Sequence, residues 1–251
     1  MRRVLVPLLI AAAATAGVAT AQSGDKVTAT AKAGKGGTPE KPKNTNLSYR
    51  ARITGPSPDI RADPALELVQ TWTGLKDNSK YFPTCTAKEI DAAQSDASCP
   101  KAAVVGVGRL EAVVGVEEDK SQMLPCKRNI KLYNEGPGKF NIFSSGNPAD
   151  CLGILYFAPV VGTIKKVGKL LRFSIPVPEN IRYPLPGITG YFSYIELNPV
   201  KNNLAKGPHG ERVTWVQSIG CGKASRRKFT FTAITTTVPK GITAKAKAGA
   251  C

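Results

Sequence analysis

The feature that most constrains this chain is a period of two. From Leu47 onward, apolar and polar residues alternate in short runs broken by Gly, Pro and Asn. Leu47, Tyr49, Ala51 and Ile53 alternate with Ser48, Arg50, Arg52 and Thr54. Successive side chains of a strand point to opposite faces, so this run reads as a strand buried on one side. Further strands are read around Leu66, Leu68 and Trp72, and over 104–114, 127–134, 139–144, 152–161, 170–175, 190–197, 212–219, 228–238 and 242–246. The stretch Leu152-Gly-Ile-Leu-Tyr-Phe-Ala158 is apolar on both faces, which predicts a central strand. About ten strands separated by turn residues predict an all-β fold, an antiparallel β-sandwich. One segment breaks the pattern. Thr86-Ala-Lys-Glu89 is a capping box ahead of Ile90, Ala92 and Ala93, which predicts a short helical loop laid over a sheet end.

The N-terminus carries a different signal. Arg2 and Arg3 precede an apolar stretch from Val4 to Val18, followed by Ala19-Thr20-Ala21. A positive start, a short apolar core and small residues at a cleavage position predict a secretory signal peptide over 1–21. Residues 22–46 are rich in Lys, Ala, Gly, Thr and Pro without aromatics, and read as a flexible basic linker. One domain is expected over 47–251.

Export bears on the six cysteines, Cys85, Cys99, Cys126, Cys151, Cys221 and Cys251. An even number in an oxidising compartment predicts disulfides. No C-x-x-C pair is present to favour a metal site. The short loops favour the sequential pairing 85–99, 126–151 and 221–251, although spacing alone leaves other connectivities open.

Charge is uneven. The whole chain has a formal net charge of +17. Removal of Arg2 and Arg3 with the signal peptide would leave +15. Residues 48–162 hold 13 Lys+Arg and 13 Asp+Glu, whereas residues 163–251 hold 15 and 3. The basic clusters are Lys165, Lys166, Lys169 and Arg172, and then Arg226, Arg227 and Lys228. They are the candidate anion-binding residues. An anionic cell-wall polymer or a membrane surface is the expected partner. No nucleic-acid recognition motif is present, and no later segment reaches the length of an apolar transmembrane helix.

Catalytic motifs are sparse. The chain has one histidine, His209. His209-Gly210 followed by Ser218-Ile219-Gly220-Cys221 is similar to the L,D-transpeptidase signature, in which a Cys–His pair performs acyl transfer. Ile219 stands where that motif has a polar residue, and a free Cys221 would leave an odd number of cysteines. The expectation is therefore no catalytic residue, no cofactor and no metal. Glu117-Glu118-Asp119 reads as a solvated hairpin tip, and Glu196 has no second carboxylate near it in sequence for glycosidase chemistry. Tyr191, Tyr194 and Trp215 could stack on sugars, which gives a carbohydrate-binding module as an alternative.

Phe82-Pro-Thr-Cys85, Cys99-Pro-Lys-Ala-Ala-Val-Val-Gly106-Val-Gly108, Leu132-Tyr133-Asn134, and the run from Cys221 through Phe229-Thr230-Phe231 to Cys251 form a recurring set. Over residues 65–251 the chain resembles uncharacterised secreted, β-rich, disulfide-containing proteins of actinobacteria. The resemblance implies secretion, disulfides and a β fold, and assigns no activity. Taken together, the sequence predicts a secreted, non-enzymatic β-sandwich protein of the cell envelope that binds an anionic polymer or surface.

Overall fold

The computed structural model describes residues 17–20, 24–151, 153, 154, 156–200, 203–222 and 224–251. The strands are β1 (Gly17–Thr20), β2 (Lys26–Lys32), β3 (Lys43–Asn44), β4 (Ser48–Thr54), β5 (Ala65–Thr73), β6 (Leu75–Asp77), β7 (Val104–Val116), β8 (Leu124–Gly136) and β9 (Lys139–Ser145). They continue with β10 (Val160–Val167), β11 (Leu170–Pro176), β12 (Ile188–Pro199), β13 (Ala205–Lys206), β14 (Arg212–Val213), β15 (Val216–Ser218), β16 (Arg226–Thr235) and β17 (Ile242–Ala250). Two short helices, α1 (Ala87–Ala93) and α2 (Glu179–Arg182), interrupt them.

The fold is all-β. Twelve strands form one antiparallel sheet in the order β1-β2-β4-β12-β7-β8-β9-β10-β11-β5-β16-β17. The sheet curls until its last strand returns to β2. The Ala33 N–H donates to the Ala248 carbonyl at 3.1 Å, and the Gly36 N–H to the Cys251 carbonyl at 2.7 Å. The two walls of the fold are thus one continuous sheet, nearly closed into a barrel, and closure removes most of the edge that an open sheet exposes. A small sheet, β3-β15-β6, lies at the end of the barrel where β5 turns through Gly74 into β6.

Alternation decides what fills the barrel. Phe229, Phe231 and Ala233 of β16 face inward, and Trp72, Gln70 and Leu68 of β5 stand opposite them in register. Trp72 and Phe229 pack with ring centroids 4.5 Å apart. Each fully buried aromatic contributes roughly 1.5–3 kcal/mol over its exposed state. A satellite cluster of Ile90, Ala103, Tyr133 and Phe143 lies outside the barrel, under α1. The capping box of α1 is formed in both directions: Glu89 N–H donates to Thr86 Oγ1 at 3.2 Å, and Thr86 N–H to Glu89 Oε2 at 2.7 Å. All three disulfides are present with sequential pairing, Cys85–Cys99, Cys126–Cys151 and Cys221–Cys251.

The structure corrects three readings. Residues 22–46 are not a flexible linker throughout. Val27, Ala29 and Ala31 alternate in β2 and are buried in the main core, because small side chains fit where a curled sheet closes on itself. The apolar stretch after Cys151 is not a central strand; the described part, 153, 154 and 156–159, is loop, and pairing starts only at Val160. Its apolarity on both sides suits a segment laid across the barrel end. The run 212–219 divides into β14 and β15, which belong to two different small sheets. Of the segment 1–21, residues 17–20 form β1 on the edge of β2, and the remainder lies outside the described residues.

Candidate functional site

The predicted basic residues fall on the wall formed by β10, β11, β5, β16 and β17, and the register sorts them. Lys165 pairs with Arg172, Arg172 with Thr71, Thr71 with Thr230, and Thr230 with Lys245. Paired residues of neighbouring strands share a face, so this row crosses five strands on the outside of the barrel. At ~4.8 Å per strand it spans roughly 19 Å. Lys228 and Lys247 pair in the adjacent row of the same face. Lys169 is exposed at the turn from β10 to β11, and Arg226 is exposed at the start of β16. Arg172 lies 3.6 Å from Glu67 and donates to Ser174 Oγ at 3.0 Å, so part of its charge is already engaged.

Adjacent basic residues in a strand cannot all share one face, and two of the seven predicted residues take the inward parity. Lys166 pairs with the buried Leu171 and takes the inward register of Ile164, ending exposed at the end of β10. Arg227 is fully buried, at 0% exposure, and is no part of an anion-binding surface. In their place the structure adds Lys245 and Lys247, which sequence reasoning passed over. The signal was their period-two spacing against Ala244, Ala246 and Ala248.

The opposite wall differs. On the outside of β12 and β7, Glu196 stands opposite Arg109, and Glu111 opposite Lys127. Arg109 donates to Glu196 Oε2 at 3.1 Å, and the Tyr194 hydroxyl donates to the same oxygen at 2.9 Å. These two donors, Tyr194 first, hold the Glu196 carboxyl below the usual carboxylate range. Arg109 and Lys127 thus each face a carboxylate on the neighbouring strand.

The interior of the barrel holds two cavities, one toward each end. The first has about 800 Å³ of free space counting its open side, and Trp72, Phe140, Phe173 and Trp215 line it. The second has about 860 Å³ on the same count. Ile154 and Phe157 of the loop and Ile181 of α2 sit over its mouth, and the Cys126–Cys151 disulfide lies in its wall. Ile130, Ile142, Ile175 and Ile195 line both cavities and separate them.

Arg128 lies in the wall of the second cavity, 4% exposed. Cys126, Arg128, Ile130 and Leu132 alternate inward along β8, which aims the guanidinium at the barrel interior. It reaches the carbonyls of Ile154 at 3.4 Å and Ser144 at 3.5 Å, and stands 5.4 Å from the Phe157 ring centre. Burial pushes its pKa down. The signal was legible: a cation on the apolar parity of an alternating strand.

The remaining candidates resolve by geometry. Cys221 is bonded to Cys251 and carries no nucleophilic thiol. Ser218 Oγ accepts from Arg227 Nη2 at 2.7 Å and donates to the Gly36 carbonyl. The His209 backbone N–H donates to Glu211 in an exposed turn. The Cys–His acyl-transfer reading therefore has no chemical basis. Tyr191 and Tyr194 are buried, and Trp215 packs edge-on against Phe140 and donates to Asn134 Oδ1 at 3.1 Å. No stacking platform for sugars remains among these rings. Glu117, Glu118 and Asp119 form an exposed tip between β7 and β8. Among the described residues no group of three or more His, Cys, Asp and Glu could hold a metal ion. No described helix is long and apolar enough to cross a membrane.

Comparison with protein-family models, curated proteins and solved structures finds no match for this chain.

Proposed function

We propose that this is an exported, non-enzymatic protein that docks on an anionic cell-envelope polymer through the outer face of β10, β11, β5, β16 and β17. The observation that carries the reading is the register row Lys165–Arg172–Thr71–Thr230–Lys245, with Lys228 and Lys247 beside it. A twisted wall of lysines separated by threonines offers point charges and hydroxyl donors to repeating phosphates or carboxylates. Each exposed contact is weak and screened by salt, so binding comes from the number of charges in the array. The three disulfides fit an oxidising compartment, as does the signal-peptide pattern at 1–21.

The test is retention on a purified teichoic or uronic polymer at low and high salt. Retention should fall steeply as salt rises. Combined Lys165→Glu, Lys228→Glu and Lys245→Glu should abolish it, whereas Lys127→Glu on the opposite wall should leave it nearly intact. Retention that is insensitive to salt, or equally sensitive to both sets of changes, would overturn the assignment.

A further inference from the structure

The barrel has a seam, and β1 lies in it. Among the described residues no ladder joins β2 to β17; the two approach each other through the Ala33 and Gly36 hydrogen bonds beyond the end of β2. Over the first half of β2 the place beside it belongs to β1, in antiparallel register: Gly17 opposite Ala29, Val18 opposite Thr28, Ala19 opposite Val27 and Thr20 opposite Lys26. β1 also lies against β17. Yet β1 ends one residue before Ala21, the last residue of the cleavage pattern Ala19-Thr20-Ala21. Cleavage there cuts β1 off from the rest of the barrel.

Loss of β1 leaves the backbone N–H and C=O groups on one side of β2 without their strand partner. Such an edge is a template for another strand. The two flanks of the slot define what fits. Val27, Ala29 and Ala31 of β2 and Ala244, Ala246 and Ala248 of β17 are buried, so the inward parity is lined by small side chains. The outward parity carries Lys26, Thr28, Thr30 and Lys32 on β2, and Lys245 and Lys247 on β17. Strand addition draws affinity from main-chain hydrogen bonds and specificity from alternate side chains. Opposite charges on facing positions of paired strands attract, and like charges repel.

We propose that export turns this seam into a strand-addition site for an extended acidic peptide segment of another protein. Its inward residues are small, as Gly17 and Ala19 are, and its outward residues are Asp or Glu facing Lys26 and the lysines of β17. The inference rests on the export reading, since removal of the leader empties the slot. It does not rest on docking to an anionic polymer.

Mass spectrometry of the exported protein reads the cleavage by itself: an N-terminus at Gln22 supports it, and one at or before Gly17 overturns the vacancy. The slot is tested on two secreted forms, one starting at Gln22 and one at Gly17. The probe is an acetylated, amidated hexapeptide of alternating glutamate and alanine, followed through backbone amide resonances. With the Gln22 form it should bind saturably, one-to-one, and shift the amides of 26–32. The Gly17 form, in which β1 fills the slot, should bind at least about ten-fold more weakly, as should the lysine–alanine counterpart with the Gln22 form. The glutamate peptide with an N-methylated backbone should not bind. Lys26→Glu should weaken the glutamate peptide and leave polymer retention nearly intact. Absence of binding, equal binding by the two secreted forms, or equal binding of the N-methylated peptide would overturn strand addition. Equal affinity for the two charge types would overturn the acidic partner. Dimerisation of the Gln22 form alone, seen by sedimentation velocity, would give the slot to a second copy and overturn the peptide as its occupant.

Discussion

Two buried arginines are held differently: at one end of the barrel Arg227 lies 2.6 Å from the Gly74 carbonyl, and at the other Arg128 lies 3.4 and 3.5 Å from the carbonyls of Ile154 and Ser144 in a mainly apolar wall. Arg227 donates to the carbonyls of Thr73 and Gly74, the latter at 2.6 Å, and to Ser218 Oγ at 2.7 Å. Those groups belong to the bend from β5 into β6 and to β15, so one guanidinium ties the large sheet to the small one. Gly74 makes this joint possible: its φ is +66°, and a Cβ there would lie 1.8 Å from the Gly220 carbonyl. Both arginines have pKa values lowered by burial. Each end also has its own disulfide, Cys221–Cys251 near Arg227 and Cys126–Cys151 in the wall near Arg128.

The contrast breaks first at Arg227. Arg227→Met should cost about 3 kcal/mol, since it strands buried acceptors that no water reaches. Thermal unfolding should shift down by roughly 6–12 °C. Arg128→Met should cost less, about 1–2 kcal/mol, because its carbonyl contacts with Ile154 and Ser144 are longer, at 3.4 and 3.5 Å. Equal losses at the two positions, measured by denaturant unfolding, would erase the distinction between the ends.

The disulfides sharpen it next. Replacing Cys221 and Cys251 with serine should cost about 3.6 kcal/mol by the chain-entropy estimate for a 30-residue separation. Hydrogen exchange should rise in β17 and in the strap at 33–37 that bonds to it. Replacing Cys126 and Cys151 should cost a similar amount globally, yet its exchange increase should centre on residues 151–159 and the mouth of the second cavity.

The smallest effect comes from Arg109, the outward counterpart of the two buried arginines. Its pair with Glu196 is exposed, and Arg109→Ala should leave the unfolding midpoint nearly unchanged. The Glu196 carboxyl is depressed in the folded protein, so its contribution is present above the unfolded carboxylate value of about 4.3 and is lost as pH falls through the lower folded value. Unfolding midpoints of the parent and Glu196→Gln should therefore differ by a constant amount near neutrality and converge in acid. A difference that grows as pH falls would contradict the assigned shift.

Much of the fold was legible in the chain because its signals are local. The alternation at Tyr49, Ala51 and Ile53 reports its own strand, and the capping box at Thr86 reports its own helix start. The apolar loop after Cys151 misled because apolar residues on both sides describe burial without describing a partner. β2 was hidden because alanine and valine among lysines look like linker composition, yet suffice where two walls of a barrel meet closely.

The candidate site was legible only in part. By itself the sequence determined the β class and the concentration of charge after residue 162, and it favoured the sequential cysteine pairing without excluding others, since each of these signals is local. Tertiary structure decided which parity of each strand faces inward and which strands lie side by side. Those choices put Lys165, Arg172 and Lys245 in one row, and sent Arg227 into the joint and Arg128 into the cavity. Parity is written locally, but its direction is set by non-local register, and register exists only once the sheet has closed on itself.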